Sequence, residues 1–212
     1  LRSLGMRAVL GIIAIEMPTR YAADAEDYLR KGLAARDALR DDPLVSFTVA
    51  PHAPYTVSDA TLRRVALLAE ELDLPVHIHV HETAHEVDDS LATHGLRPLA
   101  RLDQLGLVTE RLIAVHAVHL NPAEILLLAD RGPSEAHCPA SNASVLPAMQ
   151  ALESATLSGA RALGLEHRIG SIEVGKEADL VAFDLARPES SPVYDPVSHL
   201  VYACGRESVS DV

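Results

Sequence analysis

The chain has 212 residues, enough for one sizeable core, or one domain with a small appendage. A formal net charge of −12 argues against nucleic acid or an anionic membrane as a partner. No apolar run is long enough to cross a bilayer, no basic n-region marks a signal peptide, and Cys138 and Cys204 make no disulfide framework; a cytoplasmic location is the expectation.

Hydrophobic residues make up 48% of the chain at a mean hydropathy of +0.11, which fits a packed globule and not a disordered one. Met6 to Met17 is a largely apolar run that suits a strand buried on both faces. Leu1 to Leu4 reads as the end of a helix. Residues 22–40 carry apolar residues at helical spacing. Val45 to Ala50 is a second strand, ending in the loop signal Pro51-His52-Ala53-Pro54-Tyr55. Ser58 can cap a helix through Leu72, with Leu62, Val65, Ala66, Ala69 and Leu72 as its apolar stripe.

The stretch Pro75-Val76-His77-Ile78-His79-Val80-His81-Glu82-Thr83 follows. Val76, Ile78 and Val80 alternate with three histidines, so a strand here has one aliphatic face and one row of imidazoles. Thr83 with Glu86 is a capping-box pattern and starts a helix. Helices over 84–95 and 97–105 precede a strand, Leu112 to His116. Asn121-Pro122-Ala123-Glu124 opens a further helix that ends near Gly132, and Ser134 to His137 is one more short strand. Leu146 to Leu165 reads as helix. Gly164 to Leu185 holds short strands between glycine turns, and His199 to Ala203 is expected to be a last strand.

Strands alternating with helices imply parallel βαβ units. His52, Glu82, His116 and Asn142 all fall at or just past strand C-termini, where a TIM barrel keeps its chemistry. No glycine-rich phosphate loop follows any strand, which weighs against a dinucleotide site. Seven of the eleven histidines lie between His77 and His119, a density that suits metal or acid–base chemistry. His79 could bind zinc through a ring nitrogen, and Glu82 and His116 could handle the proton of a bound water. A metal, or a polar barrel interior lined by satisfied histidines, would each accommodate the row, and the residues alone leave both open. By the same reasoning His85 and His94 are solvated, His119 is structural, and Cys138 is a small buried residue.

Taken in order, Pro51 to Tyr55, His77 to Thr83, Val115-His116, His137-Cys138-Pro139-Ala140-Ser141-Asn142 and Ile169 to Val181 resemble the amidohydrolase superfamily, in its chlorohydrolase-like aminohydrolase branch. The resemblance implies a TIM-type (β/α)8 barrel, incomplete over residues 1–163, with residues 164–212 contributing to a small β-sandwich. It implies one Zn2+, or another divalent metal, and water attack at C6 of an adenosine-type nucleoside carrying a thioether, with release of ammonia. Carried over by motif, His79 is the metal-binding residue, Glu82 the proton shuttle that also contacts substrate, His116 the histidine beside the attacking water, and His52 a contact to the nucleoside. A homo-oligomer is the family-level expectation. Related chemistry on guanine or a triazine is the alternative substrate reading, and a non-catalytic barrel acting as a scaffold is the alternative class. The family's first-strand His-x-His pair has no counterpart upstream. The Gly-Thr-Asp-Gly-like motif that carries a ligand Asp is also missing, since Ser141-Asn142 passes through Ala143-Ser144-Val145 straight to the Leu146 helix. The favoured explanation is that these residues are part of a longer enzyme. A truly truncated barrel would bind metal weakly, turn nothing over and tend to associate.

Overall fold

The computed structural model describes residues 5–136 and 147–212. The expectations for Leu1 to Leu4, His137, Cys138 and Asn142 lie outside the described residues. The chain divides into two compact units, Leu1–Cys138 and Pro139–Val212.

The first unit is a five-stranded, wholly parallel sheet: β1 (Ala8–Ala14), β2 (Val45–Pro51), β3 (Val76–Val80), β4 (Leu112–His116) and β5 (Ser134–Ala136), in the spatial order β1-β2-β3-β4-β5. Helices α1 (Ala25–Leu39), α2 (Asp59–Leu72), α3 (Ala84–His94), α4 (Pro98–Gln104) and α5 (Pro122–Arg131) make the crossovers. Strictly sequential order is that of a barrel wall. A doubly wound sheet would reverse direction at a switch point. Register carries the strand ends together: Ala14 lies beside Pro51, and Val80 beside His116.

The core forms where the sheet's aliphatic residues meet the helices. Val76, Ile78 and Val80 of β3 are buried, as are Leu62, Val65 and Ala69 of the α2 stripe. Gly32 is needed because α1 crosses β1 closely; a Cβ there would lie 2.5 Å from Ile12 Cγ2. Helix starts follow the sequence signals. Ser58, Thr83 and Asn121 each accept from the backbone N–H three residues on, and Asn121 with Glu124 forms a complete capping box.

The second unit corrects one expectation. His199 to Ala203 is not a strand. Residues Pro196–Tyr202 are helical, because Asp195 caps them by accepting from Val197 N and Ser198 N, and Pro196 sits at the first helical position. Between Gly164 and Leu185 the backbone is mostly turns, and among the described residues only Ala182–Phe183 (β6) is strand. It pairs antiparallel with Val209–Asp211 (β7). Upstream, Ala148–Glu153 runs through a π turn over Ser154–Ser158 into the helical Gly159–Ala162. No described helix is long and apolar enough to cross a membrane.

One buried network ties the strand ends to the helices behind them. Arg97 donates to both carboxylate oxygens of Glu124, at 2.8 and 2.9 Å, and to the His119 carbonyl. The His81 ring completes it. Nδ1 donates to the same His119 carbonyl at 3.1 Å, Nε2 accepts from Leu99 N at 3.1 Å, and Nε2 lies 3.3 Å from Glu124 Oε1. Burial pushes the Glu124 carboxyl up, but the Arg97 guanidinium and the Asn121 N–H outweigh it and leave the group below its usual 4.5. A lowered carboxylate stabilises the fold above its ordinary titration point and loses that contribution as pH falls through the folded-state value. Glu124→Gln should therefore cost about 2 kcal/mol near neutral pH, and the gap from wild type should close as pH is lowered below about 4.5, read by thermal melts across a pH series.

Candidate active site

The C-terminal ends of β2, β3 and β4 bring His52, His79, Glu82 and His116 together. The His52 and His79 rings meet edge-on with centroids 5.2 Å apart. The His79 and His116 rings stack at 5.4 Å, inclined by 28°. His116 Nε2 lies 3.5 Å from Glu82 Oε1, longer than a direct hydrogen bond and close enough for one water to serve both. All four residues named from the sequence thus fall in one cluster.

His79 is held in one tautomer. The His52 carbonyl oxygen accepts both from His79 N at 3.2 Å and from His79 Nδ1 at 2.6 Å. A carbonyl only accepts, so Nδ1 carries the proton and the Nε2 lone pair is left for another partner. A metal-binding histidine is commonly prepared in this way. His79 therefore fits a zinc ion in kind. Among the described residues, however, no group of three or more His, Cys, Asp or Glu side chains is arranged to hold a metal.

The other two histidines of the strand separate from it. His77 is exposed. The expectation that His81 shares the row is corrected: β3 ends at Val80, and His81 takes a left-handed backbone (φ 57°) that sends its ring into the buried network with Glu124 and Leu99. His116 (φ 74°) and Ala117 (φ 50°) are left-handed as well. Three non-glycine residues in this region hold backbone strain at the strand ends. The two ends are pinned to each other, since Ala117 N donates to the Val80 carbonyl, and Val118 N and His119 N donate to the His81 carbonyl.

Two contributors were not identified as site residues from the sequence. Thr83 caps α3, and the Glu86 carboxylate is not confined to the cap residue. It reaches further back, Oε1 to His81 N at 2.9 Å and Oε2 to Glu82 N at 2.8 Å. The residue is 5% exposed, and burial pushes its carboxyl up against the pull of the His81, Glu82 and Thr83 N–H groups. Glu86 thus positions Glu82 through the backbone. The second is Tyr55, whose ring stands edge-on to His52 at 6.0 Å and remains 55% exposed. Burial, then the charges of Glu82 and Glu86, raise its hydroxyl above the ordinary value. Burial, then His79, hold His52 below the usual histidine range, which keeps its ring neutral; its Nδ1 lies 2.8 Å from Thr56 Oγ1. The capping-box spacing marked Glu86, and the Pro51–Tyr55 motif marked Tyr55, but neither signal carried the role.

The model of the amidohydrolase family matches this sequence over residues 1–147 and 144–207. The chain belongs to that family. A 5-methylthioadenosine/S-adenosylhomocysteine deaminase of Teredinibacter turnerae is 35% identical over 260 residues, covering 98% of this chain and 59% of the relative. One of Saccharophagus degradans is 35% identical over 249 residues, covering 93% and 56%. The crystal structure of an adenosine deaminase from Xanthomonas campestris with bound zinc is 44% identical, with a TM-score of 0.88, over 100% of this chain and 60% of that one. The atrazine chlorohydrolase TrzN of Arthrobacter aurescens, at 18% identity and a TM-score of 0.80, shares the fold. The chain spans about three-fifths of the length of these relatives. The alignment to the Teredinibacter protein runs over 260 positions, more than the 212 residues here, so that relative carries residues without counterpart in this chain, and the two family matches overlap at 144–147.

Glu86→Gln removes one of the two acceptor oxygens and turns an amide N–H2 toward a backbone donor. It should cost about 1–3 kcal/mol in stability. Exchange of the His81 and Glu82 amide hydrogens should accelerate relative to the rest of β3, read by hydrogen–deuterium exchange.

Proposed function

We propose that the protein is a zinc-dependent aminohydrolase that deaminates an adenosine-type nucleoside bearing a 5′-thioether, by attack of water at C6 and release of ammonia. The observation that carries the reading is the His79 ring: its Nδ1–H is committed to the His52 carbonyl, and it sits within one cluster with Glu82 and His116. Identity to the deaminases of Teredinibacter and Xanthomonas supports the substrate class. The triazine alternative has weaker support, because likeness at 18% identity speaks for fold alone.

His79 would hold the metal through Nε2. A zinc ion bound there supplies Lewis acidity that makes water nucleophilic near neutral pH. The remaining work belongs to the chain. Glu82 accepts the proton of the attacking water and returns it to the departing amino group. His116, close to the same carboxylate, orients that water and steadies the charge on Glu82. His52, neutral at neutral pH, offers a ring nitrogen for a hydrogen bond to the nucleoside. In this reading the five-stranded sheet is an arc of a closed eight-stranded barrel, and residues 164–212 contribute to the small β-sandwich. The acidic balance of the chain suits a small-molecule substrate and not nucleic acid.

Ammonia release from 5′-methylthioadenosine, measured beside bound zinc, tests the proposal. Glu82→Gln should lower kcat by roughly 100-fold or more while zinc content stays as in wild type. A chain that binds zinc and releases no ammonia from either 5′-methylthioadenosine or S-adenosylhomocysteine would favour the scaffold reading instead.

A further inference from the structure

His52 opens the β2–α2 loop and is bonded on both sides. Its backbone N–H donates to the Ala14 carbonyl, and its own carbonyl holds the His79 ring. Its ring Nδ1 lies 2.8 Å from Thr56 Oγ1. Thr56 is clamped in turn. Its carbonyl accepts from Glu16 N at 3.1 Å, and its N–H donates to the Ala53 carbonyl at 3.1 Å. The rest of the loop is tied down as well. Glu16 Oε1 accepts from Ser58 N at 3.0 Å and from Thr61 Oγ1 at 2.8 Å, and the buried Arg101 guanidinium donates to the Pro54 and Val57 carbonyls. The Thr56 hydroxyl therefore meets the His52 ring from a loop with little freedom to move.

That hydroxyl has one proton and two neighbours. Thr56 Oγ1 lies 3.2 Å from the Ala53 carbonyl oxygen, which can only accept. If the proton goes to this carbonyl, Oγ1 keeps its lone pairs and accepts from His52 Nδ1–H, so both contacts are hydrogen bonds. If the proton goes to Nδ1, the hydroxyl and carbonyl oxygens face each other as two acceptors. The first arrangement makes two bonds where the second makes one. It puts the single proton of the neutral ring on Nδ1 and leaves the Nε2 lone pair as an acceptor. Among the described residues nothing donates to that nitrogen.

We propose that Thr56 is a positioning residue that fixes His52 as the Nδ1–H tautomer, so that His52 meets its ligand as a hydrogen-bond acceptor. For the ligand this rests on the deaminase reading. Apart from the amino group that reacts, the polar atoms of an adenine ring only accept, whereas the sugar hydroxyls donate. An Nε2 lone pair therefore pairs with a sugar hydroxyl and disfavours a purine ring nitrogen. Thr56 decides, through His52, which part of the nucleoside this corner of the site can hold.

Nitrogen-detected NMR of 15N-histidine-labelled protein reads the tautomer. Wild type and Thr56→Ser should show His52 protonated at Nδ1. Thr56→Val keeps the side-chain shape, removes the acceptor for that proton, and should move it to Nε2. Isothermal titration with 5′-methylthioinosine, the deaminated product, reads the ligand contact without turnover. Thr56→Val should bind it about threefold to tenfold more weakly than wild type. Thr56→Ser should bind as wild type, and the deficit of Thr56→Val should vanish with the 2′,3′-dideoxy analogue. Should Thr56→Val fail to fold, Thr56→Ala serves for the same comparison. His52 protonated at Nε2 in wild type overturns the proposal. So does a tautomer unchanged in Thr56→Val, or a Thr56→Ser that behaves like Thr56→Val. A tautomer that moves while the affinity does not overturns the sugar contact. Failure of wild type to bind the nucleoside overturns the deaminase reading and the sugar contact with it, while the NMR result still decides the role of Thr56.

Discussion

The buried carboxylate of Glu86 is the interaction on which the site depends. β3 must stop at Val80 so that the chain can turn, and the turn leaves the N–H groups of His81 and Glu82 without ladder partners. Water cannot satisfy them in a buried position, and an unpaired donor there is costly. One carboxylate from the first turn of α3 accepts both. With that settled, His81 can adopt its left-handed conformation and drop its ring into the Arg97–Glu124 network, while Glu82 emerges toward His116. The neighbouring strand follows, because the turn after β4 hydrogen-bonds to the Val80 and His81 carbonyls. Strain at three backbone positions is thus offset by buried polar bonds, and the result is a fixed separation between an imidazole and a carboxylate.

The same economy of polar groups prepares His79. A single carbonyl, that of His52, takes the backbone N–H that continues the β2–β3 ladder and the ring N–H that fixes the tautomer. Sheet register and site chemistry are therefore one arrangement. A shift of β3 by one residue would bring the aliphatic face to this position and lose both bonds.

Much of this was legible in the sequence, for physical reasons that differ by element. The parallel sheet followed from apolar strands alternating with capped helices, and Ser58, Thr83 and Asn121 marked helix starts because their side chains bond locally. The placement of His52, His79, Glu82 and His116 followed from their common position at strand ends. His81 was misplaced because a period-two pattern assumes that the strand continues, and a left-handed residue with a long-range ring partner has no local signature. Glu86 looked like an ordinary cap because the spacing to Thr83 is the same whether its carboxylate returns to the cap or reaches beyond it. The strand expected over His199 to Ala203 is instead the end of the helix Pro196–Tyr202, whose start is marked by Asp195-Pro196.

The proposed metal role of His79 depends on the His52 carbonyl holding its Nδ1–H, which leaves Nε2 for a ligand bond. Nitrogen-detected NMR of 15N-histidine-labelled protein, before and after addition of Zn2+, tests it most directly. The account predicts that His79 begins as the Nδ1–H tautomer and that its Nε2 resonance shifts on zinc addition, while His81 keeps the signature of a ring hydrogen-bonded at both nitrogens. A His79 protonated at Nε2, or a zinc response at His81 with none at His79, would contradict it.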